Sequence, residues 1–307
     1  MTFLLLFEQL LNGFQLGMTL FLMAAGLTLV FGVMGLINLA HGSLYMVGAF
    51  CCAWVANTTG SFLLGLIAGF VGAAIAGALI EIIVIRKLYE REHLDQVLAT
   101  FALILIFSEG TSWIFGASPL YLSVPKWLSG SIPLWDKGSY PLYRLLIIII
   151  GLVIAYGLYL LITKTRLGMR IRAGESDREM IAALGVDIRT IYTVVFALGA
   201  ALAGLAGSLV GALRSVEVGM GEPVLILALV VIVIGGIGSV KGALIGAILV
   251  GFVDTLGRVF LPFLLSLVID DTSSLATLSA SLSSILVYLL MAIILAIRPQ
   301  GLFPANA

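Results

Sequence analysis

The chain has 307 residues, of which 61% are hydrophobic and only 10% are charged, and its formal net charge is zero. Soluble domains carry about 25% charged residues, because a folded surface needs polar groups that face water. The composition therefore excludes a soluble enzyme, a nucleic-acid-binding protein and a disordered protein, and it predicts a polytopic membrane protein. Long unbroken apolar runs favour membrane helices over the alternating strands of a β-barrel.

The predicted membrane segments follow from the apolar runs and from the turn residues between them. No Asp, Glu, Lys or Arg occurs between Gln9 and Ile80, which is enough chain for three helices of about 20 residues each. We predict eight or nine hydrophobic segments, at residues 10–36, 42–57, 62–85, 95–115, 143–163, 190–213, 223–260 and 276–297. Glycines break the run 223–260 into one kinked helix or two short spans, so we expect a discontinuous or re-entrant element. The predicted fold class is an all-α polytopic membrane protein, with residues 1–307 forming a single transmembrane domain.

The loops between these segments differ in charge and in aromatic content. Nine of the sixteen Lys and Arg residues fall in 86–93 and 164–189, and cytoplasmic loops carry such an excess. Residues 116–142 contain four prolines, with tryptophans nearby, which is typical of an external loop that lies against the membrane interface. We therefore expect the loop 164–190 to be cytoplasmic and the N-terminus to lie outside.

Two glycine pairs point to a route through the membrane. Gly35 and Gly42 are seven residues apart, as are Gly235 and Gly242, and each pair lies where an apolar run is broken. Paired interrupted helices are typical of a substrate path, because a break frees backbone carbonyl and amide groups. The predicted path residues are Asn38, His41, Gly42, Gly235, Gly236 and Gly238. The alternative, two kinks that only pack, with His41 as a structural histidine, stays open at this point.

Five further ionisable residues lie in or beside the apolar segments. Glu81 is close enough in the chain to pair with Arg86. Asp254 and Arg258 are four residues apart, so they share one helical face and are expected to form a structural ion pair. Glu109 lies deeper in its segment, where an ionisable side chain is a candidate for a functional role.

No enzyme motif occurs in the chain. The phosphate-binding loop G-x-x-x-x-G-K-[ST] is absent, as are H-E-x-x-H and G-x-S-x-G. The two histidines, His41 and His93, are too few for a histidine-rich metal site. We expect no catalytic residue, no metal and no cofactor bound by this chain.

The most charged part of the chain predicts either a short amphipathic helix in a cytoplasmic loop or an ordinary solvated loop. Within residues 164–190, Ser176 or Asp177 is suited to cap a short amphipathic helix, because its side-chain oxygen accepts bonds from the first free N–H groups. Gly185 is suited to end that helix, since glycine tolerates the left-handed backbone found there.

Three segments together resemble a known family. Residues 37–42 (INLAHG), followed by 48–49, are similar to the N-terminal signature of the permease subunits of branched-chain amino-acid ABC transporters, the LivH type. Residues 166–187 resemble the cytoplasmic loop of that family, and residues 235–246 resemble its C-terminal signature. The resemblance covers nearly the whole length of the chain.

This resemblance implies an importer that is driven from outside the chain. In that family a periplasmic binding protein delivers the substrate, a second permease subunit completes the path, and two ATPase subunits use ATP at the bacterial inner membrane. The chain would contact these partners and the lipid bilayer, but no nucleic acid. The residues implied to couple to the ATPase are Glu179, Ala182, Ala183, Leu184 and Gly185, with Arg170 and Arg172 beside them.

Alternatives stay open for the substrate and for the source of energy. Members of the family carry branched-chain and other amino acids, amides, urea or aromatic acids. A rival function is an ion-coupled secondary transporter of small organic solutes, with Glu81, Glu109 or Asp254 carrying protons. A second rival is a passive channel with the glycine breaks as its filter, which predicts that no solute accumulates against a gradient.

Overall fold

The computed structural model describes residues 3–89, 91–134, 138–176, 178–267 and 271–304. Most of them are helical, in α1 (Phe3–Met34), α2 (His41–Thr59), α3 (Phe62–Ile83), α4 (His93–Phe115), α5 (Leu142–Lys164), α6 (Arg166–Ser176), α7 (Arg178–Ala183), α8 (Ile188–Gly211), α9 (Gly221–Gly235), α10 (Val240–Leu265) and α11 (Thr272–Ile297). One antiparallel hairpin, β1 (Ser131–Leu134) and β2 (Gly138–Pro141), lies in the loop 116–142.

Seven helices in the described part of the chain are long and apolar enough to cross a membrane: α1, α3, α4, α5, α8, α10 and α11. The apolar α9 is shorter, with 15 residues, and α2 has 19 residues that are mostly buried inside the protein. The run 223–260 is therefore two helices, α9 and α10, rather than one kinked helix. The prediction of an all-α polytopic membrane protein with interrupted elements is confirmed.

Helices α1 and α8 form the centre of the bundle. Of their most apolar windows, 83% and 78% are buried, against 17% in α4 and 11% in α11. Gly199 of α8 packs on Gly26 of α1, while Gly204 of α8 packs on Ala73 of α3 and on Gly48 of α2. A Cβ atom at Gly48 would lie only 2.2 Å from the Cα atom of Gly204. The helices thus touch through their backbones, as small residues at a membrane interface allow.

Helix α10 packs antiparallel along α1, with Gly251 against the backbone of Gly13. Near this contact, Arg258 donates hydrogen bonds from Nε and Nη2 to the two carboxylate oxygens of Asp254, both at 2.9 Å. The predicted ion pair is therefore confirmed. Asp254 is buried, so its partner compensates a charge that is otherwise costly to hold away from water.

The second predicted ion pair, between Glu81 and Arg86, is also confirmed. Arg86 Nη2 lies 2.9 Å from Glu81 Oε2, and the fully buried carboxylate also accepts hydrogen bonds from the hydroxyls of Tyr89 and Thr193, at 2.9 and 2.6 Å. Burial and the adjacent charge of Glu81 raise the pKa of the Tyr89 phenol far above its ordinary value. The phenol therefore stays protonated and remains a donor to the carboxylate.

The two ends of the bundle have different structures. The hairpin end carries β1 and β2, where Gly138 lies next to Leu4 of α1, and where Leu120 pairs with Val216 as an isolated bridge. The basic end carries the Glu81–Arg86 pair, α6, α7 and residues 298–304.

The loop 164–190 contains two short helices: α7 corresponds to the predicted short helix, and α6 was not predicted. Helix α6 forms because buried Ile171 holds it against the body of the protein, while Gly168 packs directly on carbonyl groups near the end of α5. Helix α7 ends at Ala183, and Gly185 follows with φ +80°, as expected for a residue that ends a helix. The predicted caps fall outside what is described, since neither the Ser176 side chain nor Asp177 is among the described residues.

Candidate functional site

The first break, residues 35–40, turns the chain back into the protein. Gly35 follows α1 at φ +67°, and its N–H group bonds to the Phe31 carbonyl at 2.7 Å. Helix α2 then begins at His41, which is fully buried and lies next to the backbone of Met23 on α1. About 16 Å of helix separates Met23 from Met34. The break therefore re-enters the bundle, and α2 starts inside it.

Four polar side chains on α1, the first break and α2 are fully buried and each has a polar atom without a hydrogen-bond partner in the described part of the chain: Thr28, Asn38, His41 and Tyr45. Asn38 Oδ1 accepts the Ala40 N–H at 3.0 Å, but its Nδ2 atom is unpaired, as are both ring nitrogens of His41. An unpaired buried polar group costs about 1–3 kcal/mol. Because such groups are rare, this set indicates positions kept for a polar ligand or for water.

Two helix N-termini meet beside His41. Gly42 at the start of α2 packs on Gly221 at the start of α9, and a Cβ atom at Gly42 would lie 2.9 Å from the Gly221 carbonyl oxygen. Neither helix has a side-chain hydrogen bond at its N-cap, and Glu222 supplies one negative charge in the first turn of α9. The N–H groups of His41, Ser43 and Glu222 already donate to backbone carbonyls, so the positive charge at these two helix starts comes from the helix dipoles. The arrangement thus places positive partial charge inside the bundle.

The second break, residues 236–239, separates two helices that cross in backbone contact. Gly236 and Gly238 have φ angles of +105° and +83°, which glycine adopts without strain. The Ser239 side chain then caps α10 by accepting the Gly242 N–H at 3.0 Å. A Cβ atom at Gly235 would lie 2.3 Å from the Gly242 carbonyl oxygen. The seven-residue glycine spacing here permits a close crossing of α9 and α10.

The C-terminal segment, residues 298–304, closes the second break. The N–H groups of Leu302 and Phe303 donate to the carbonyls of Ile234 and Gly235, both at 2.9 Å. The Lys241 ammonium group lies 5.1 Å from the centre of the Phe303 ring, a cation–π contact. The carbonyls at the end of α9 therefore have partners within the chain.

A cavity of about 490 Å³ at the basic end lies between the two breaks. Gly35 of the first break and Gly238 of the second both line it, together with the apolar residues Phe31, Val233 and Ile237. The remaining predicted path residues are buried and do not line this cavity: Asn38, His41, Gly42, Gly235 and Gly236. The structure thus brings the two breaks together, but it separates their polar side chains from their shared cavity.

Helix α7 presents an apolar surface at the basic end. Met180 and Leu184 are 59% and 74% exposed, whereas Ile181 is buried and anchors the helix. Of the residues predicted to couple to an ATPase, Ala182, Ala183, Leu184 and Gly185 are exposed here. Glu179 lies on α7, and its side chain is not among those described.

The two predicted arginines of this region lie on α6 and differ in their surroundings. Arg170 is exposed, whereas Arg172 is bound through Nη1 to the carbonyl of Ile162 near the end of α5. At the far end of the loop, Asp187 caps α8, and a hydrogen bond from the Thr190 hydroxyl holds the pKa of its carboxyl below the ordinary value. The loop is therefore tied to the bundle on both sides of α7.

Sequence reasoning missed several of these groups. Thr28 and Tyr45 lie within long apolar runs, where a single hydroxyl gives no local sign that it will be unpaired. Gly221 offered only the weak signal of a small residue after a loop. The bonds from Leu302 and Phe303 to α9 join residues far apart in the chain, so no local pattern indicates them.

Comparison with known proteins agrees with this architecture. The profile of a family described as "Branched-chain amino acid transport system / permease component" matches residues 9–295. The chain is 30% identical to the high-affinity branched-chain amino acid transport system permease protein BraD of Pseudomonas aeruginosa, over 81% of this chain and 85% of the relative. It is 29% identical to the corresponding protein LivH of Escherichia coli strain K12, over 84% and 88% of the two chains.

A more distant relative is named for a different substrate. The fructose import permease protein FruF of Bifidobacterium longum is 27% identical, over 76% of this chain and 65% of the relative. No solved structure matches the chain to a significant degree.

These relatives are transport permease subunits, and the described part of this chain has the seven long apolar helices of a multi-pass membrane protein. The family profile covers almost the whole chain, including both breaks and the loop that carries α7. The chain therefore belongs to the family of permease components of branched-chain amino acid transport systems.

Proposed function

We propose that this chain is the transmembrane permease subunit of an ABC importer for branched-chain or related hydrophobic amino acids. The family match over residues 9–295 carries the proposal, and the naming of BraD and LivH as branched-chain amino acid permeases supports its substrate class. The chain has no phosphate-binding loop of its own, so separate ATPase subunits supply the energy. In this proposal it is not an enzyme, and it binds no cofactor itself. Permeases for amides, urea or aromatic acids remain alternatives that the uptake assay separates.

The proposed path uses neutral polar groups in an apolar setting. Asn38 and His41 lie beside the starts of α2 and α9, which have no side-chain cap, and the positive ends of these helix dipoles suit the carboxylate of an amino acid. The shared cavity beyond them is lined mainly by apolar residues, which suits a hydrophobic side chain. Neutral dipoles bind a zwitterion loosely, so the substrate is released at the far side. A second permease subunit completes the path.

The proposed contact with the ATPase is the exposed face of α7. Apolar side chains such as Met180 and Leu184, standing at one end of a membrane protein outside its spans, mark a surface that another protein covers. Ile181 is buried and attaches α7 to the rest of the protein. A movement of the ATPase that displaces α7 is therefore transmitted to the helix bundle. This helix is short enough to fit a groove on a soluble partner.

The proposed orientation places the basic end in the cytoplasm of a bacterial inner membrane. Eleven of the sixteen Lys and Arg residues belong to this end: Arg86, Lys87, Arg91, Lys164, Arg166, Arg170, Arg172, Arg178, Arg189, Lys241 and Arg298. Cytoplasmic loops carry such an excess. The N-terminus and the hairpin end then face outward, where a periplasmic binding protein docks.

The test is uptake by proteoliposomes that contain the complex purified with its co-eluting subunits. We expect labelled leucine, isoleucine or valine to accumulate only when ATP and the binding protein are both supplied. Amides, urea and aromatic acids are tested as competitors. Accumulation of an amide, urea or fructose, with no competition by branched-chain amino acids, would overturn the substrate assignment.

The same assay separates the rival mechanisms. Glu81 and Asp254 are each held in an ion pair, which disfavours them as proton carriers, whereas Glu109 is exposed on α4. Uptake that follows a pH gradient without ATP, and that is lost in Glu109→Gln, would support a secondary transporter. Equilibration without accumulation would support a channel.

Coupling is tested on α7. We expect Ala182→Arg and Gly185→Pro to abolish ATP-driven uptake while the chain stays inserted, because the first adds a bulky charge to the docking face. The second replaces a residue whose φ of +80° proline cannot adopt. Ala173→Arg makes the same exposed substitution on α6 and is expected to retain uptake. Wild-type uptake by both α7 variants would contradict the coupling role.

A further inference from the structure

A second and larger cavity opens at the basic end, between α1, α5 and the start of α10. Its volume is about 1090 Å³, and apolar side chains such as Phe21, Leu29 and Val33 of α1 form its inner wall. Tyr156 and Tyr159 of α5 stand at its rim and are 64% and 56% exposed. Tyr156 and Tyr159 lie about 12 and 8 Å of helix before Lys164, so the cavity extends from the basic end into the membrane-spanning part of the bundle.

Three cations from separate parts of the chain converge on this cavity. Arg172 of α6, Lys241 at the start of α10 and Arg298 after α11 all line it and are all exposed. Among the described residues that line the cavity, none is acidic. The neighbours of the three cations are neutral: Arg172 and Arg298 donate to the carbonyls of Ile162 and Leu302, and Lys241 lies over an aromatic ring.

A cluster of like charges without a carboxylate is unfavourable unless an anion joins it. A buried hydroxyl gives a second, independent indication of a ligand. Thr28 is fully buried, lines the same cavity and has no hydrogen-bond partner among the described residues. The cavity therefore offers positive charge at its mouth and an unpaired polar atom in its apolar wall.

The outer face of α5 continues the cavity as an apolar strip. Ile149, Leu152 and Val153 are all exposed, and with Tyr156 they follow helical spacing along one face. This strip runs from the cavity toward the hairpin end. It is about 10 Å long, enough to contact part of a hydrocarbon chain beside the cavity.

We propose that this cavity binds an anionic phospholipid from the leaflet at the basic end. The lipid phosphate is held by Arg172, Lys241 and Arg298, its ester oxygens lie near Thr28, and an acyl chain follows the strip on α5. Basic pockets between membrane helices are suited to such headgroups. An amino-acid substrate is a poorer fit, because its ammonium group would face three cations. Free phosphate is also a poorer fit, because it would leave the apolar wall uncovered.

The experiment measures lipid retained by the full chain, purified with its partner subunits in a mild detergent. Dioleoyl phosphatidylglycerol and dioleoyl phosphatidylcholine are titrated separately, and native mass spectrometry counts the bound lipid. The variant Arg172→Gln/Lys241→Gln/Arg298→Gln removes the cluster. The control Lys87→Gln/Arg91→Gln/Lys164→Gln removes three exposed charges from the same end, none of which lines the cavity.

We expect the wild-type chain to prefer phosphatidylglycerol, and the cavity variant to bind it at least about tenfold more weakly, because each headgroup-level cation contributes to the attraction. The control variant keeps the preference. If the triple variant does not fold, Lys241→Gln should weaken binding while Lys241→Arg keeps it.

Three outcomes would overturn the proposal. The first is equal retention of phosphatidylglycerol by the wild-type chain and the cavity variant. The second is displacement of the lipid by inorganic phosphate alone, which would assign the cations to a soluble anion. The third is loss of the ATPase subunits from the cavity variant with unchanged lipid content, which would make the cavity a protein-docking surface.

Discussion

The two glycine breaks share a seven-residue spacing but differ in how their polar groups are paired. At the first break, Asn38 and His41 are fully buried and keep unpaired nitrogen atoms. At the second, the carbonyls of Ile234 and Gly235 accept hydrogen bonds from the C-terminal segment. The starts of the following helices differ as well, because α10 has a side-chain cap from Ser239 and α2 has none.

This difference suggests a division of labour. An interrupted helix exposes polar groups, and a protein either satisfies them internally or leaves them for a ligand. At the second break the polar groups are satisfied internally, which suits it to hold α9, α10 and the C-terminal segment in register. At the first break they are left without partners, so this break is the better candidate for contact with substrate.

The largest effect is expected from Gly236→Leu, which changes the second break, where the C-terminal segment is hydrogen-bonded to the end of α9. Its φ of +105° is strained for leucine, and a Cβ atom would lie 2.7 Å from the Phe303 carbonyl oxygen, so the C-terminal segment must move. We expect near-complete loss of uptake while the ATPase subunits still co-purify. Ile237→Leu, at an exposed neighbour, is the control. Normal uptake by Gly236→Leu would show that the contact between the C-terminal segment and the end of α9 has no role in transport.

The second-largest effect is expected from His41→Leu, beside the first break. Removing unpaired buried nitrogens should leave the apparent melting temperature unchanged or higher, whereas uptake falls about tenfold, the loss that one hydrogen bond to substrate implies. Ser208→Ala is the matched contrast, since that buried hydroxyl is paired with carbonyls of Gly48 and Gly204. It should lose stability and keep uptake. A lower melting temperature in His41→Leu with unchanged uptake would assign the histidine to structure.

A smaller effect is expected from Phe303→Pro, which removes one of the two N–H groups that the C-terminal segment donates to the end of α9. The Gly235 carbonyl then loses its partner, at a cost of about 1–3 kcal/mol. Phe303→Leu keeps the N–H group and is the control. Thermal unfolding in detergent measures the difference. Equal melting temperatures for the two variants would mean that water or another donor replaces the bond.

The smallest effect is expected from Ser239→Ala, which removes the cap of α10. Loss of an N-cap hydroxyl costs about 1 kcal/mol, and Ser239→Asn should restore most of it. The corresponding change at the first break, Ala40→Ser, should add little, because Ala40 has helical backbone angles rather than those of a capping residue. A gain in stability from Ala40→Ser would weaken the contrast between the breaks.

Much of the architecture was predictable from local properties of the chain. Apolar runs bounded by turn residues indicated the membrane segments, and four-residue spacing indicated the Asp254–Arg258 pair. The position of Gly185 indicated the end of α7. These predictions succeeded because hydropathy, helical spacing and backbone freedom act over a few neighbouring residues. The loop 164–190 was harder, since the burial of Ile171 against distant helices created α6.

The sequence by itself determined that this chain is a helical membrane protein with two broken segments and a strongly basic end. Tertiary structure decided which polar groups are satisfied, because pairing depends on contacts between residues far apart in the chain. The Phe303 N–H group donates to the Gly235 carbonyl, whereas the ring nitrogens of His41 lie near the Met23 backbone but make no hydrogen bond of ordinary geometry with a described residue. Composition and spacing describe both breaks alike, and only their three-dimensional neighbours distinguish them.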